Sequence, residues 1–485
     1  MKPPVLNVPG TLVIPGNITI EMNEGAGMEV GKGSTLHVEG KIRAGRYRIF
    51  FGDGEFIGSR MNDVVYPQWF GARGDGINRD SDAIASATRF AQGARLAFHE
   101  GSYLIGPEKT VINCDVNWVG CDREKVRMLS DDSRGHVPDI FIMRKSASIS
   151  GITFNGNKCR SRGIIFEPEK TDSIRIDGCR FMNLVQPSNA SGKPVGLGAV
   201  GVIVYGRHEE FTAINTEFID ITATASPNQK MPRPKARGIE WSVNGRTHGS
   251  SHRATISGCV FKGIRAGENW GSRKIDVDAI VWRNLKSEDS KLTVERCSFI
   301  SIGKRPIKAN VGHSITINEC CFSEMASSRY LNLALQDSPD SSITNCIFDF
   351  PTALNFPSEA VIKISTDHPQ GIKNMRIINN TIRVRDQNAV SAKAVIILES
   401  SRVCSLRMSN NSIEIPGGID YCLIVRTTLR PHADKDTTCN EITIDGNRVF
   451  NINTELVSIS GPEAKTLSHS VKEESNVVLY HEHGD

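Results

Sequence analysis

One six-residue pattern recurs along this chain: an apolar residue, two polar or small residues, Cys or Asn, any residue, then an apolar residue. It occurs as Ile176-Asp-Gly-Cys179-Arg-Phe181, Ile256-Ser-Gly-Cys259-Val-Phe261 and Val294-Glu-Arg-Cys297-Ser-Phe299. It returns as Ile317-Asn-Glu-Cys320-Cys-Phe322 and Ile343-Thr-Asn-Cys346-Ile-Phe348. Later copies carry Asn instead of Cys, at Asn380, Asn411 and Asn447. Degenerate copies sit at Ile149–Phe154 and Ala213–Phe218. Successive fourth positions lie from 23 residues apart (Cys297 to Cys320) to 43 apart (Thr216 to Cys259). The short steps match one coil of a β solenoid, and self-similarity at such a period is its signature. A single coil cannot bury its apolar face, so coils must stack about 4.8 Å apart and superpose like residues. Cys179, Cys259, Cys297, Cys320 and Cys346 then form an internal ladder of small groups. Asn380, Asn411 and Asn447 continue it as stacked amides that satisfy one another.

Composition supports this and excludes several alternatives. The 12 cysteines contain no pair of C-x-x-C motifs, which argues against zinc and for buried free thiols. Net charge is +4, with 58 basic and 54 acidic residues, so no concentrated basic face points to nucleic acid. No run of about 18 apolar residues marks a membrane span. The Met1–Asn7 start lacks the apolar core of a secretory signal. No Ser-His-Asp order, nucleotide loop or H-E-x-x-H motif suggests a cofactor or metal. His248 and His252 come close in sequence, but without a carboxylate partner.

Before the repeats, residues 1–65 alternate short apolar runs with Gly-rich turns, as half-buried strands do. This β module reads either as an attachment device or as a first pair of irregular coils. Residues 66–110 hold one amphipathic helix. Asp80 or Ser81 is positioned to cap it, Ile84, Ala87, Thr88 and Ala91 share a face, and Gly93 ends it. A helix ahead of so many strands suggests a plug over an open solenoid end. The β-helix is expected over 111–462, followed by a short extension over 463–485.

The helix region also carries a resemblance. Trp69-Phe70-Gly71-Ala72, Gly74-Asp75-Gly76, Asp80, Ala83-Ile84 and Gly101-Ser102-Tyr103-Leu104-Ile105 resemble the opening signature of the pectate-lyase-like superfamily, to which bacteriophage tailspike depolymerases belong. Arg79, Asp82 and His99-Glu100 depart from it, all within the cap. The resemblance implies an all-β protein, a right-handed single-stranded parallel β-helix. It also implies a homotrimer, attached to a phage tail or otherwise extracellular, that binds a bacterial surface polysaccharide (capsular, exopolysaccharide or O-antigen) along its flank and cleaves it. The superfamily holds hydrolases, lyases, epimerases and binding proteins, so the chemistry must come from the residues.

A second register precedes each ladder residue, as in Gly238-Ile-Glu-Trp241 and Ala279-Ile-Val-Trp282. Side chains two apart share a face, which turns Trp241 and Trp282 inward and Glu240 and Arg283 outward. The longest insertions fall at 186–198, 223–237, 244–253 and 265–274, and four on successive coils could wall a groove. Beside them lie Glu240, Glu268, Asp276 and Asp278, with Trp270, Arg273 and Arg283.

Glycoside hydrolysis needs an acid and a second carboxylate. Glu240, Asp276 and Asp278 are the catalytic candidates. Asp276-Val-Asp278 puts two carboxylates on one face, where like charges drive pKa values apart. The alternative for that pair is a turn with Arg273 or Lys274 as partner. Trp270 could stack on a sugar ring, with Arg273, Arg283 and Glu268 completing substrate binding. Glu217 and Asp220 are weaker candidates one coil earlier. Arg233, Lys235 and Arg237 read as a solvated loop or as a groove wall contacting acidic polysaccharide. The expected function is endo-glycosidic hydrolysis, with β-elimination by a lyase and a non-catalytic glycan-binding spike as alternatives.

Overall fold

A computed structural model describes residues 5–133, 137–167, 170–186, 198–223, 235–241, 243–244, 247–248, 250–266, 276–283, 290–310, 314–324, 331–334, 341–350, 360–366, 372–384, 392–400, 403–427, 441–460 and 471–480. It divides into two compact units: residues 1–185 with 201–208, and 186–200 with 209–485. The fold in both is a right-handed parallel β-helix.

The first unit begins with short strands paired in parallel. Val5–Val8 pairs in parallel with Gly27–Val30, which pairs with Phe50–Phe51. Thr11–Ile14, Thr35–Val38 and Glu55–Ile57 form a second parallel series, and Thr19–Met22 pairs with Lys41–Ala44. The main coils of this unit add three parallel ladders. One runs Arg95–Phe98, Val116–Gly120, Ala147–Ser150, Lys170–Asp177. Another runs Gly101–Ile105, Val126–Ser130, Thr153–Asn155, Arg180–Met182. The last runs Thr110–Ile112, Val137–Met143, Arg160–Phe166.

The helix, Ser81–Ala91, lies between these two sets of coils and is packed on both sides. Phe90 meets Phe50 and Phe70 at 5.2 and 5.5 Å, and Thr88 Oγ1 accepts the Trp118 indole N–H at 3.0 Å. It therefore packs against the N-terminal coils on one side and the first main coils on the other. Neither expected cap serves the helix itself. Buried Asp80 instead accepts the backbone N–H groups of Arg73, Gly74 and Leu104, tying the preceding turn to the following strand. Ser81 Oγ accepts from Gly106. The left-handed residue that ends the helix is Gln92, one before Gly93.

In the second unit three long parallel ladders stand side by side. The first runs from Ser250–Ser257 through Lys291–Glu295, Ser314–Asn318, Ser341–Thr344, Ile372–Ile378, Val403–Ser409 and Glu441–Asp445 to Val471–Glu474. The second starts Glu217–Ile219, Val260–Lys262, Ser298–Ile300 and ends at Val477–Tyr480. The third comprises Lys235–Trp241, Asp276–Arg283, Arg305–Asn310, Leu331–Ala334, Ala360–Thr366 and Ala392–Ser400. Both 471–474 and 477–480 keep the ladder register inside the stretch expected to be an extension.

Each repeat sits at the corner between the first and second ladders. The residue just before the Cys or Asn has positive φ in every copy of this unit, from Asn215, Gly258 and Arg296 to Gly446 and Ser475. Glycine adopts this conformation without penalty and Asn tolerates it better than most, which explains the Gly and Asn in the pattern's third position. The ladder side chain then turns inward and donates to a carbonyl of the coil before it. Cys297 Sγ reaches Ile256 O at 3.5 Å, Cys320 Sγ reaches Val294 O at 3.6 Å, and Asn380 Nδ2 reaches Ile343 O at 3.0 Å. Two residues on, Phe218, Phe261, Phe299, Phe322 and Phe348 stack with centroids 4.6–5.0 Å apart. Each such pair adds about 0.5–1.5 kcal/mol beyond its burial.

Candidate functional site

The third ladder of the second unit collects most of the candidate residues that the structure describes. Trp241 and Trp282 are fully buried, on the inward side that parity assigns them. Glu240 holds the opposite parity, yet it is only 1% exposed. Outward parity does not bring Glu240 to solvent: the outward side of this strand is also covered, and Ala236 through Trp241 are all buried.

Parallel register then assembles a charge cluster. Lys235 pairs with Asp276 and Arg237 with Asp278 across one strand boundary, and Asp278 pairs with Arg305 across the next. Arg237 donates to Glu240 through Nη1 and to Asp276 through Nη2, and its Nε lies 3.9 Å from Asp278 Oδ2. Arg305 donates through Nε to Asp278 Oδ1 at 2.5 Å, and through Nη2 to Asp276 Oδ1 at 2.9 Å and Asp278 Oδ2 at 3.1 Å. Lys235 Nζ stands 2.5 Å from Glu240 Oε2, and Lys308 Nζ 3.8 Å from Asp276 Oδ1. So Glu240, Asp276 and Asp278 do converge. Among the described residues their partners are Arg237, Arg305, Lys235 and Lys308; Arg273 and Lys274, named as partners in the turn reading, lie outside the described residues. Lys235 and Arg237 belong to a strand and its buried network, not to a solvated loop.

Electrostatics separates the three acids. Burial alone would raise all of them. For Asp276 it is outweighed by Arg237 and Lys308, which hold the carboxyl far below its usual range. Arg237 and Lys235 likewise bring Glu240 down. Asp278 goes the other way: burial raises it despite Arg305, and the adjacent Asp276 charge adds to the rise. Among the bases, burial pulls Lys235 to about 8 against the opposing attraction of Glu240. Burial pulls Lys304 to about 8 as well, and Lys308 is lowered by burial and by Arg305.

Access separates them further. Glu240 and Asp278 are sealed, whereas Asp276, Lys235 and Lys308 keep 23%, 19% and 17% of their side chains exposed. With Arg283, which acts on Glu240, the described residues place six cationic side chains around three carboxylates. Two guanidinium Nε atoms, on Arg237 and Arg283, are buried without a hydrogen-bond acceptor among the described residues. This arrangement is suited to receive an anion at its surface and to hold a lysine near neutrality.

Trp270, Arg273 and Glu268 lie outside the described residues. The residues that sequence reasoning missed are Lys304, Arg305 and Lys308. Ile307-Lys-Ala309 aligns with Ile280-Val-Trp282, and two residues back the same register puts Arg305 beside Asp278. A second buried ion pair, Arg162 with Asp139 at 2.5 Å, belongs to the first unit. Its neighbour Arg160 spends its donors on the backbone carbonyls of Asp139, Ile105 and Gly106, which is a structural use. Among the described residues no group of three or more His, Cys, Asp or Glu could hold a metal ion. No described helix is long and apolar enough to cross a membrane.

No protein-family model and no curated protein sequence matches this chain. Solved structures do. A surface protein and adhesin of Streptococcus pneumoniae, PfbA, superposes with a TM-score of 0.53 at 15% identity, covering 82% of this chain and 99% of that one. A Dettilon tailspike protein is similar with a TM-score of 0.41 at 14% identity, covering 84% of this chain and 70% of the other. A mannuronic acid specific polysaccharide family 6 lyase from human gut microbiota gives 0.39 at 10% identity, with 86% of each chain covered. The likeness to PfbA shows the β-helix fold.

Proposed function

We propose that this chain binds an acidic bacterial surface polysaccharide on the outward side of the third ladder and cleaves it by β-elimination. The observation that carries this reading is the part-exposed Lys235, drawn to about 8 inside a cluster with an excess of cations. A sugar carboxylate seated against Lys308 and Arg305 would have its charge offset. That acidifies the proton on the adjacent ring carbon. Neutral Lys235 takes that proton, the C4–O bond breaks, a C4–C5 double bond forms, and the leaving oxygen is protonated by solvent. A base with a pKa near the working pH is what proton abstraction requires.

Hydrolysis by paired carboxylates, the first expectation from sequence, asks for two acids at the substrate. Of the three candidates only Asp276 keeps appreciable exposure, and it is held ionised by Arg237 and Lys308. Asp276 and Asp278 remain the pair to which hydrolysis would fall. A non-catalytic spike or adhesin is favoured by one observation, the ion pairing of every carboxylate in the cluster. The trimer, the phage-tail attachment and the virion or extracellular location implied by the tailspike resemblance belong to the same proposal; sedimentation measures the first.

The test is product chemistry on a panel of acidic polysaccharides. Elimination yields reducing ends together with ultraviolet absorbance from the new double bond. Its rate should climb with pH through about 8 and then level, because the active form is deprotonated Lys235. Lys235→Arg keeps the cation but holds its proton, and should cost at least about a hundredfold in rate with little change in melting temperature. Reducing ends without the absorbance would transfer the chemistry to Asp276 and Asp278. Binding without either product would leave a glycan-binding spike.

A further inference from the structure

We propose that Tyr66, with Arg46 and Arg95 beside it, forms a second, non-catalytic site for the acidic glycan, within the first unit. This deepens the acidic-glycan reading above and rests on it for the class of ligand. Strand register carries the argument. Val64 pairs with Arg95 and Val65 with Leu96. Val65, Leu96 and Phe98 are buried, so Val64, Arg95 and His99 hold the outward parity. Tyr66 keeps an extended backbone, so its ring is also outward and falls between Arg95 and His99. The rings of Tyr66 and His99 lie 5.5 Å apart. Both residues are half-buried, whereas Arg46 and Arg95 are exposed.

The site is held in shape by the chain itself. Buried Trp69 meets Tyr66 edge-on at 5.7 Å, and its indole N–H donates to Gly45 O at 2.8 Å. One side chain thus braces the Tyr66 ring and fixes the backbone just ahead of Arg46. Ile49 N–H donates to Trp69 O at 3.1 Å and ties down the far side of that turn. Arg46 and Arg95 both act on His99: together with burial, their charges hold its imidazole below the ordinary pKa. Two guanidinium groups therefore converge on one ring. Neither forms an ion pair among the described residues, and neighbouring Glu100 stands 3.9 Å from Lys125 instead. A braced aromatic between two guanidinium groups suits a pyranose that lays its C–H face on the ring and turns a carboxylate to the forks. Neutral His99 can hydrogen-bond a sugar hydroxyl. Two cations are too few for a nucleic-acid backbone, which calls for a basic stripe.

The experiment is calorimetric titration of the full chain with a polyuronate hexasaccharide, in a Lys235→Arg background that spares the probe. Two binding events per chain are expected. Arg46→Gln combined with Arg95→Gln should weaken one of them at least about tenfold and leave the other as it was. Lys308→Gln should do the reverse. Tyr66→Ala should weaken the same event as the arginine pair, and Tyr66→Phe, which keeps the ring, should retain both. Both arginines are exposed, so an unchanged melting temperature shows that the double variant is folded. A single event, lost in Lys308→Gln and indifferent to the arginine pair, overturns the second site and leaves the acidic-glycan reading standing. A single event lost with the arginine pair upholds this site and overturns binding at Lys308. Equal affinity of the Tyr66 site for a neutral hexasaccharide overturns the role of the arginines. Equal competition by a short single-stranded oligonucleotide overturns the choice of ligand. Failure to bind any acidic fragment overturns both readings.

Discussion

Two buried polar columns run through the second unit, and they solve the problem of burying polarity in opposite ways. The corner column repeats one residue type from coil to coil. Asn380 N–H and Nδ2 both donate to Asn411 Oδ1, whose own N–H and Nδ2 donate to Asn447 Oδ1, and Asn476 accepts from Asn447 in turn. Every member serves its neighbour as its neighbour serves it, so the column extends by copying. The third-ladder cluster cannot be copied, because like charges stacked at strand spacing repel. It alternates instead, Arg237 over Asp278 over Arg305, and stops after a few coils. A self-satisfying column stabilises any number of coils. An alternating one is confined to a place, and the excess of cations over carboxylates there is what makes that place chemically distinct.

The sharpest way to break this comparison is Arg237→Ala. It strips Glu240 and Asp276 of a donor and leaves buried Asp278 relying on Arg305 alone. Removing one partner of a buried ionic network costs about 3–5 kcal/mol, far more than the network contributes relative to an apolar replacement. Chemical denaturation should show a loss of that size. Arg237→Met, which fills the space without restoring charge, should recover little of it. A loss under about 1 kcal/mol would mean that the cluster is effectively solvated and the burial argument wrong.

Asn411→Ala tests the other column, with a smaller expected effect. Its side chain satisfies Asn380 N–H, Asn380 Nδ2 and Ile377 O, and all three would be left buried without that partner. One such group costs about 1–3 kcal/mol, and partial rearrangement of the corner keeps the total near 2–3 kcal/mol. The same measurement of denaturation midpoint compares it directly with Arg237→Ala.

The contrast also explains what could be read from sequence. A column built by copying writes itself into the chain as a repeat, so Cys259 through Asn447 announced the solenoid and its corner. Asn476 escaped because its copy opens with Glu473 where the others have an apolar residue. Trp241 and Trp282 followed from parity alone. The charge cluster is written only in register. Asp278 and Arg305 are 27 residues apart, Arg237 and Asp276 are 39, and loops of unequal length hide the alignment. Sequence proximity therefore offered Arg273 and Lys274 as partners. The strand's outward parity likewise offered solvent for Glu240, since nothing local records that a face is covered on both sides. Asp80 is the same lesson in the first unit: its position marks a helix start, but its oxygens serve backbone groups of the turn before and the strand after.

The finest cut lies within the corner column, between its two chemistries. Cys297 and Asn380 occupy equivalent positions and donate to equivalent carbonyls, at 3.5 Å from sulfur and 3.0 Å from nitrogen. The thiol is a weak donor and its burial raises its pKa well above the usual value, so it stays protonated and behaves as a small apolar filler. Cys297→Ala should then cost only about 1 kcal/mol, the burial of one sulfur and the small void it leaves. Three variants measured together order the molecule: Arg237→Ala above Asn411→Ala above Cys297→Ala. If Cys297→Ala instead cost as much as Asn411→Ala, the thiols would be linked along the column as tightly as the amides are. The exchange of Cys for Asn partway along the column would then be a change of side chain without a change of physics.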